Sequence, residues 1–506
     1  MTLNQSLLLL SFCSFAFTAC SSTTPEASVK PTNRSAPAAV STPQTIAPAE
    51  QKAVIPTSYR DIHFPEFQYV APHPKESRVV ISDSVTGYVI EDRTLPLVHF
   101  TVFFRESTIP EKLEDRAALD ILSTMFRRGG AKGISAKALD DSLEFISADI
   151  SEDISTFESS FSVDCLSKNF PEILPLAKKV FLTPAFEKEP LEIQKKAFVN
   201  AYEHRYDTPG NVLGALHAYV NYRPHPRLWD ANDKEYKAVS QKDLVKFAQG
   251  KFAPNRIIFA ISGDFKKDSM VVLLKKYFAE WNVEKAKSVK PLPPLEFVTK
   301  PGIYVVNKDI TQANISMSQP FVKRPHPDYY PAAVASFILG GGSFSSRLTT
   351  RVRSDEGLAY SVQSSVENDY YDVGLTTISL QTKVESAPFA MKLIFEEIQK
   401  LAKEGPTAEE LSLAKKSLIE SLPSLFDSPE NTTLIFAEGE MLGKSFDHYL
   451  DYVKEINAIT PEQVKAMIAK YFDPAKMSIS IVGPADKLKA VGPFTLIPLD
   501  SLDFRR

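Results

Sequence analysis

From Gly87 onward the chain switches repeatedly between two hydrophobic periods. "GYVIEDR", from Gly87, and "LVHFTVFFRES", from Leu97, read as strands with at least one face in a core. Helical spacing follows over residues 116–128 and 135–146, and "DISTFESSFSVDC", from Asp153, returns to alternation. Two further helical stretches cover residues 171–181 and 191–206. The later part repeats the same order of elements. "GIYVVNK" and "ANISMSQPF" read as strands, a helix is expected over residues 329–339, and a Gly turn leads to a second helix that stops at Gly357. "LAYSVQSSVE" and "VGLTTISLQTKV" then alternate like an antiparallel pair. The expected class is α+β, an α/β sandwich used twice, each with a mixed, largely antiparallel sheet and helices packed on it.

A duplication is visible directly. "VSQKDLVKFAQGKFAPNRIIFAISGDF", from Val239, aligns without a gap with "ITPEQVKAMIAKYFDPAKMSISIVGPA", from Ile459, which fixes one constant offset between the two copies. Each copy opens on a helix N-cap residue (Ser240, Thr460), passes through Phe-x-Pro (Phe252 and Pro254; Phe472 and Pro474) and ends a β-rich run on glycine (Gly263, Gly483). "KPLPP", near 290–294, reads as the linker, so the expected domains are 63–288 and 289–506.

Composition narrows the class without identifying it. At 506 residues the chain is long enough for two or three domains, and 43% hydrophobic with 24% charged residues is the balance of a packed globular protein. A net charge of −4 gives no global basic excess for nucleic acid. The first residues carry an apolar run, Leu7 to Ala19, too short to span a bilayer and of signal-peptide length. It ends in "FTAC", which resembles the lipobox of bacterial lipoproteins, although no Lys or Arg precedes the run. The resemblance implies that 1–19 is a signal peptide and that Cys20 carries lipid, with Ser21 resembling outer-membrane sorting toward the periplasm. From 20 to 62 the chain is rich in Pro, Ala, Ser and Thr, has no aromatic residue before Tyr59, and reads as a tether. Of the remaining cysteines, Cys13 falls in the signal segment, and Cys165, in the alternating "FSVDCLS", reads as a buried, inert thiol.

The chemistry concentrates in "LGGGSFSSRLTTRVRSDEGLAYSV", from Leu339 to Val362. The triplet Gly340, Gly341 and Gly342 lacks the ending of a phosphate loop and reads as a turn that lets backbone pack closely. The whole stretch resembles the C-terminal-half signature of the M16 (insulinase, pitrilysin, mitochondrial processing peptidase) family, and the resemblance covers roughly residues 65–490. It implies duplicated α/β domains forming half of a clamshell. It also implies that Arg353 and Tyr360 hydrogen-bond peptide carbonyls beside the cleaved bond, roles that suit a guanidinium and a phenol. The bland alternative pairs Arg353 with Asp355 or Glu356 and leaves Tyr360 filling a sheet face.

A peptidase of that family also needs zinc, held through an inverted His-x-x-Glu-His and a distal Glu. The eight histidines, at 63, 73, 99, 204, 217, 225, 326 and 448, form no helical pair. In "RAALDILSTMFRRGG", with Met125 and Gly129 as landmarks, the motif positions fall on Asp120, Ser123 and Thr124. Glu203, in "AFVNAYEHRYDTP", follows Thr124 at the separation the family implies and stands for the distal Glu. A carboxylate and two hydroxyls do not make a nitrogen-rich zinc site.

The resemblance therefore implies a subunit with no metal or cofactor of its own, which supplies Arg353 and Tyr360 to a zinc-bearing M16 partner that hydrolyses peptides at the cell envelope. The alternative is a binding or assembly protein that kept the fold and lost proteolysis. A third reading, an independent enzyme acting through Asp120 and Ser123, has no visible site to support it.

Overall fold

The computed structural model describes Ser58 and residues 69–104, 110–155, 157–222, 225–251, 256–279, 294–298 and 300–503. The expected signal segment, Cys20, the tether apart from Ser58, and the boundary at 288 and 289 lie outside the described residues.

Two six-stranded sheets organise residues 69–503. The first contains β1 (Arg78–Ser82), β2 (Val85–Glu91), β3 (Leu97–Phe104), β4 (Asp149–Ile154), β5 (Ser159–Leu166) and β6 (Ile257–Gly263), in the order β1-β2-β6-β3-β5-β4. The second contains β7 (Gly302–Asn307), β8 (Gln312–Pro320), β9 (Ala359–Val366), β10 (Leu375–Lys383), β11 (Ser478–Gly483) and β12 (Thr495–Leu496), in the order β12-β7-β11-β8-β10-β9. The pairings match from the second strand of each order onward, whereas at the edge β1 runs antiparallel to β2 and β12 runs parallel to β7. β2 runs parallel to β6 as β7 does to β11, and the next three strands in each sheet are antiparallel. β6 and β11, like the helices Gln241–Lys251 and Pro461–Tyr471, keep the offset that relates Val239 to Ile459. The structure thus has the α+β architecture expected, with both sheets mixed: β2–β6 is the parallel pair of the first, and β12–β7 and β7–β11 are the parallel pairs of the second.

Alternation and continuity have different causes in different strands. β3 alternates because Val98, Phe100, Val102 and Phe104 enter the first core while the residues between them face away. β6 is buried at every position because both of its faces are covered, and β11 likewise.

The second cover is an exchange between the halves. Helix Pro209–Asn221, of the first half, lays Val212, Leu216 and Val220 against Val306 and Val482 of the second sheet. Its counterpart in the second copy, Pro429–Met441, lays Phe436, Ala437 and Met441 against Tyr88, Ile258 and Ala260 of the first sheet. Both helices start with a hydroxyl cap and a proline, Thr208-Pro209 and Ser428-Pro429. Each fully buried Val, Leu or Phe contributes roughly 1.5–3 kcal/mol, so each helix is held on the opposite sheet by several kcal/mol. Among the described residues no helix is long and apolar enough to cross a membrane.

One expected helix is shorter than its hydrophobic spacing suggests. The segment at 116–128 is helical only over Arg116–Leu122. Beyond it the Ser123 hydroxyl donates to the Asp120 carbonyl at 2.7 Å and that of Thr124 to the Ile121 carbonyl at 3.0 Å, while the Thr124 and Met125 amides bond three residues back. Hydroxyl side chains that compete for helix carbonyls tighten and end a helix in this way. Met125 and Phe126 remain fully buried.

Candidate functional site

Arg353 and Tyr360 are brought together by a turn built around glycine. Helix Tyr329–Ser336 passes into a wider turn, Phe337–Gly341, that leans on β9. A Cβ on Gly340 would sit 2.6 Å from the Ser364 amide nitrogen, and one on Gly342 would sit 2.8 Å from the Phe337 ring; Gly341 between them is exposed. The Ser364 hydroxyl donates to the Ser336 carbonyl at 2.8 Å and lies 3.0 Å from the Ser336 hydroxyl, which fastens β9 to the helix. Ser343 then takes a positive φ of 51°, and Phe344 projects outward, 69% exposed.

The helical turn Thr349–Asp355 ends at Gly357, whose φ of +63° reverses the chain into β9. Nothing lies within 4 Å of a Cβ at Gly357, so glycine is needed there for its backbone conformation and not for space. The reversal sets the Arg353 guanidinium carbon 5.2 Å from the centroid of the Tyr360 ring and 4.6 Å from that of Phe344. Stacking of this kind fixes a guanidinium without using its hydrogen-bond donors.

Neither group is spoken for. Glu356 is taken by Arg351 at 2.6 Å, and Arg353 has no salt-bridge partner among the described residues. Tyr360 is 83% exposed, so it does not fill a sheet core, and its hydroxyl has no partner among the described residues. β9, which carries it, is the edge strand of its sheet. Two rigid donors therefore face solvent a few ångströms apart, an arrangement suited to backbone carbonyls of an extended peptide. Phe344 was not singled out by the sequence reading; the signal was an aromatic residue in an otherwise Gly/Ser-only stretch.

The motif positions are committed elsewhere. Arg116 pairs with Asp120 at 2.5 Å, and the Tyr236 hydroxyl donates to the other Asp120 oxygen at 2.8 Å. Burial opposes the Arg116 charge, but the Asp120 carboxylate more than restores it and holds the guanidinium above its ordinary range. Burial pushes the nearby Asp230 up to about 6, with Arg116 acting against it, and drives the Tyr236 phenol well above its ordinary value. The Ser123 and Thr124 hydroxyls serve helix carbonyls, as described.

Glu203 needs correcting. It ends helix Lys188–Glu203 and is exposed. The residue of that helix that meets the motif is Gln194, 3.4 Å from the Thr124 hydroxyl. Glu203 lies more than two helical turns further on, roughly 13 Å along the axis. Counting along the sequence could not show which turn of the helix faces inward. An ion-paired carboxylate, two hydroxyls and a carboxamide do not fit a tetrahedral zinc site. Cys165 is buried on β5, and burial pushes its thiol up to about 11.

A paired-sheet α/β repeat with this glycine turn defines a class. Residues 238–418 match the family model described as the peptidase M16 inactive domain. The chain is 24% identical over 409 residues to the protein named non-peptidase homolog YmxG of Helicobacter pylori, covering 79% of this chain and 92% of that one. It is 23% identical over 371 residues to the uncharacterized zinc protease YmxG of Bacillus subtilis, covering 72% and 88%. Among solved structures, a peptidase M16 inactive domain from Pseudomonas fluorescens superposes with a TM-score of 0.69 at 23% identity, covering 79% of this chain and 96% of that one. These likenesses show a two-sheet fold like that of the solved peptidase M16 inactive domain.

Proposed function

We propose that this chain is a lipid-anchored, envelope-facing subunit that binds peptide through Arg353 and Tyr360 and completes the site of a separate, zinc-bearing M16 peptidase. The observation that carries this reading is the uncompensated Arg353, stacked between Phe344 and Tyr360 beside an exposed sheet edge. The motif positions support it from the other side, because Asp120 is held by Arg116 and Tyr236 while the Ser123 and Thr124 hydroxyls serve helix carbonyls. Without a metal-activated water this chain lacks the nucleophile, and the partner supplies it.

The test is reconstitution. The mature chain alone is expected to leave an internally quenched peptide library uncut, with cleavage appearing on mixing with a zinc-bearing M16 chain from the same organism. Arg353→Ala and Tyr360→Phe are expected to lower kcat/KM of the mixture roughly tenfold to a hundredfold, the range for losing a hydrogen bond to or from a charged or developing-charge group. Chelator-sensitive cleavage by the isolated chain overturns the proposal. A second reading, a non-proteolytic assembly protein, is favoured by the name of the Helicobacter pylori relative. Unchanged activity in both variants, with loss of complex formation, selects it.

A further inference from the structure

The first sheet carries a side-chain cluster that belongs to neither site above. His99 on β3 and Asp164 on β5 stand opposite each other in register, on the face turned away from the Phe100 core. That face receives the exchanged helix Pro429–Met441, whose first turn brings Glu430 to the pair. His99 Nδ1 lies 2.6 Å from Asp164 Oδ1 and 3.5 Å from Glu430 Oε2. The three potential ligand atoms lie within 4.8 Å of one another, the one such group among the described residues.

Two features separate this cluster from an ordinary surface contact. Asp164 and Glu430 meet no Lys or Arg among the described residues, whereas Glu440 of the same helix is answered by Arg78 and Arg256. More carboxylates stand close by: Asp92 interacts with His99, and Asp149 pairs with Asp164 in register. The second repeat supplies the comparison. His99 sits between Ser262 and Asp164, and Asn314 sits between Val482 and Gln381 in the equivalent register. Glu430 corresponds to Gly210 of the first copy, each being the second residue of its exchanged helix. The same scaffold therefore packs with Asn, Gln and Gly at these positions, and packing alone does not call for an imidazole and two carboxylates.

We propose that His99, Asp164 and Glu430 bind a first-row divalent cation, with zinc as the reference ion, and that the ion staples the second half's helix to the first half's sheet. One imidazole nitrogen and two carboxylate oxygens suit such an ion, and three ligands leave a position for water. Donors about 2.0–2.1 Å from a tetrahedral zinc lie about 3.3 Å apart, so the observed separations of 2.6 and 3.5 Å need adjustments below 1 Å. To bind through Nδ1 the neutral imidazole takes its Nε2–H tautomer, the proton exchanging between the two ring nitrogens through solvent. The helix N-terminus opposes a cation with roughly half a unit charge, and two carboxylates outweigh it. This places a metal in a chain for which the sequence reading expected none, and at a point remote from the motif positions.

Calorimetric titration of metal-free full chain with zinc chloride tests the assignment. One equivalent is expected to bind, with affinity lowered roughly a hundredfold or more in His99→Ala and in Glu430→Gln. Both side chains are partly exposed, so both variants are expected to fold, which circular dichroism checks. Zinc is also expected to raise the unfolding midpoint of the wild type and not of Glu430→Gln. Absence of binding in the wild type, or equal affinity in all three proteins through histidines elsewhere, overturns the proposal. Neither Arg353 nor a peptidase partner enters this test, so its outcome is separate from that of reconstitution.

Discussion

Glu440 joins the exchanged helix Pro429–Met441 to the first sheet, and its charge has a calculable weight. The side chain is one-tenth exposed. It accepts hydrogen bonds from Arg78 Nε at 2.9 Å and Nη2 at 3.0 Å, from Thr86 at 3.0 Å, from Tyr88 at 2.7 Å and from Arg256 at 2.6 Å. Burial alone would raise its pKa, but the hydrogen bonds from Arg78, Tyr88 and Thr86 outweigh burial and bring it from 4.5 to about 2. A carboxylate depressed in this way contributes stability that is fully present above about 4.5 and is lost as pH falls through about 2. At roughly 1.4 kcal/mol per pH unit, the drop from 4.5 to about 2 corresponds to about 3 kcal/mol. Glu440→Gln keeps the shape and removes the charge. The variant is therefore expected to be about 3 kcal/mol less stable at pH 7, with the difference closing toward pH 2, where the wild-type carboxyl is itself protonated. Urea unfolding of both proteins across this pH range, followed by circular dichroism, measures it. In a chain of this length the transition need not be two-state, so the pH dependence of the difference between the two proteins is the readout. A gap below about 1 kcal/mol at pH 7, the size of an exposed ion pair, or a gap that does not change with pH, refutes the reasoning.

Gly340→Ala drives a Cβ to 2.6 Å from the Ser364 amide and is expected to cost about 1–3 kcal/mol, seen as a lower melting midpoint together with weaker peptide engagement at Tyr360. Phe126, fully buried among Phe161, Phe181 and Phe186, is expected to cost about 3–5 kcal/mol when replaced by Ala, measured by denaturant midpoint. Cys165 is expected to resist thiol reagents at pH 8 in the native protein and to react at once in urea, because burial both hides the thiol and pushes it up to about 11. Fast native labelling would contradict its placement on the core side of β5.

The strands and the repeat were legible because both are one-dimensional signals. Alternation at β3 and β5 and the constant offset between β6 and β11 need only a reading along the chain. Helix ends were less legible. The stretch after Leu122 kept a helical hydrophobic pattern, because Met125 and Phe126 are buried, while Ser123 and Thr124 closed the helix through their own hydroxyls. Glu203 was misplaced for a related reason: counting residues finds a carboxylate near the right distance, but the helix turn that faces inward carries Gln194. Phe344 escaped notice because exposure of an aromatic residue is a property of a backbone turned outward at Ser343, not of composition.

The sequence by itself determined the class of architecture, the duplication, and the spacing of Arg353 and Tyr360, since periodicity and motif spacing are set by local geometry. Only the tertiary structure decided which charges are free. Arg351 took Glu356 and left Arg353 half-buried between two rings without an ion-pair partner among the described residues, Arg116 took Asp120, and Glu430 arrived at His99 from a helix belonging to the other half. Each of these outcomes depends on which side chain lies within a few ångströms of which other, and for Glu430 and His99 that means residues from opposite halves of the chain. Coulombic and hydrogen-bond energies fall off over a few ångströms of space, and separation along the chain does not enter them.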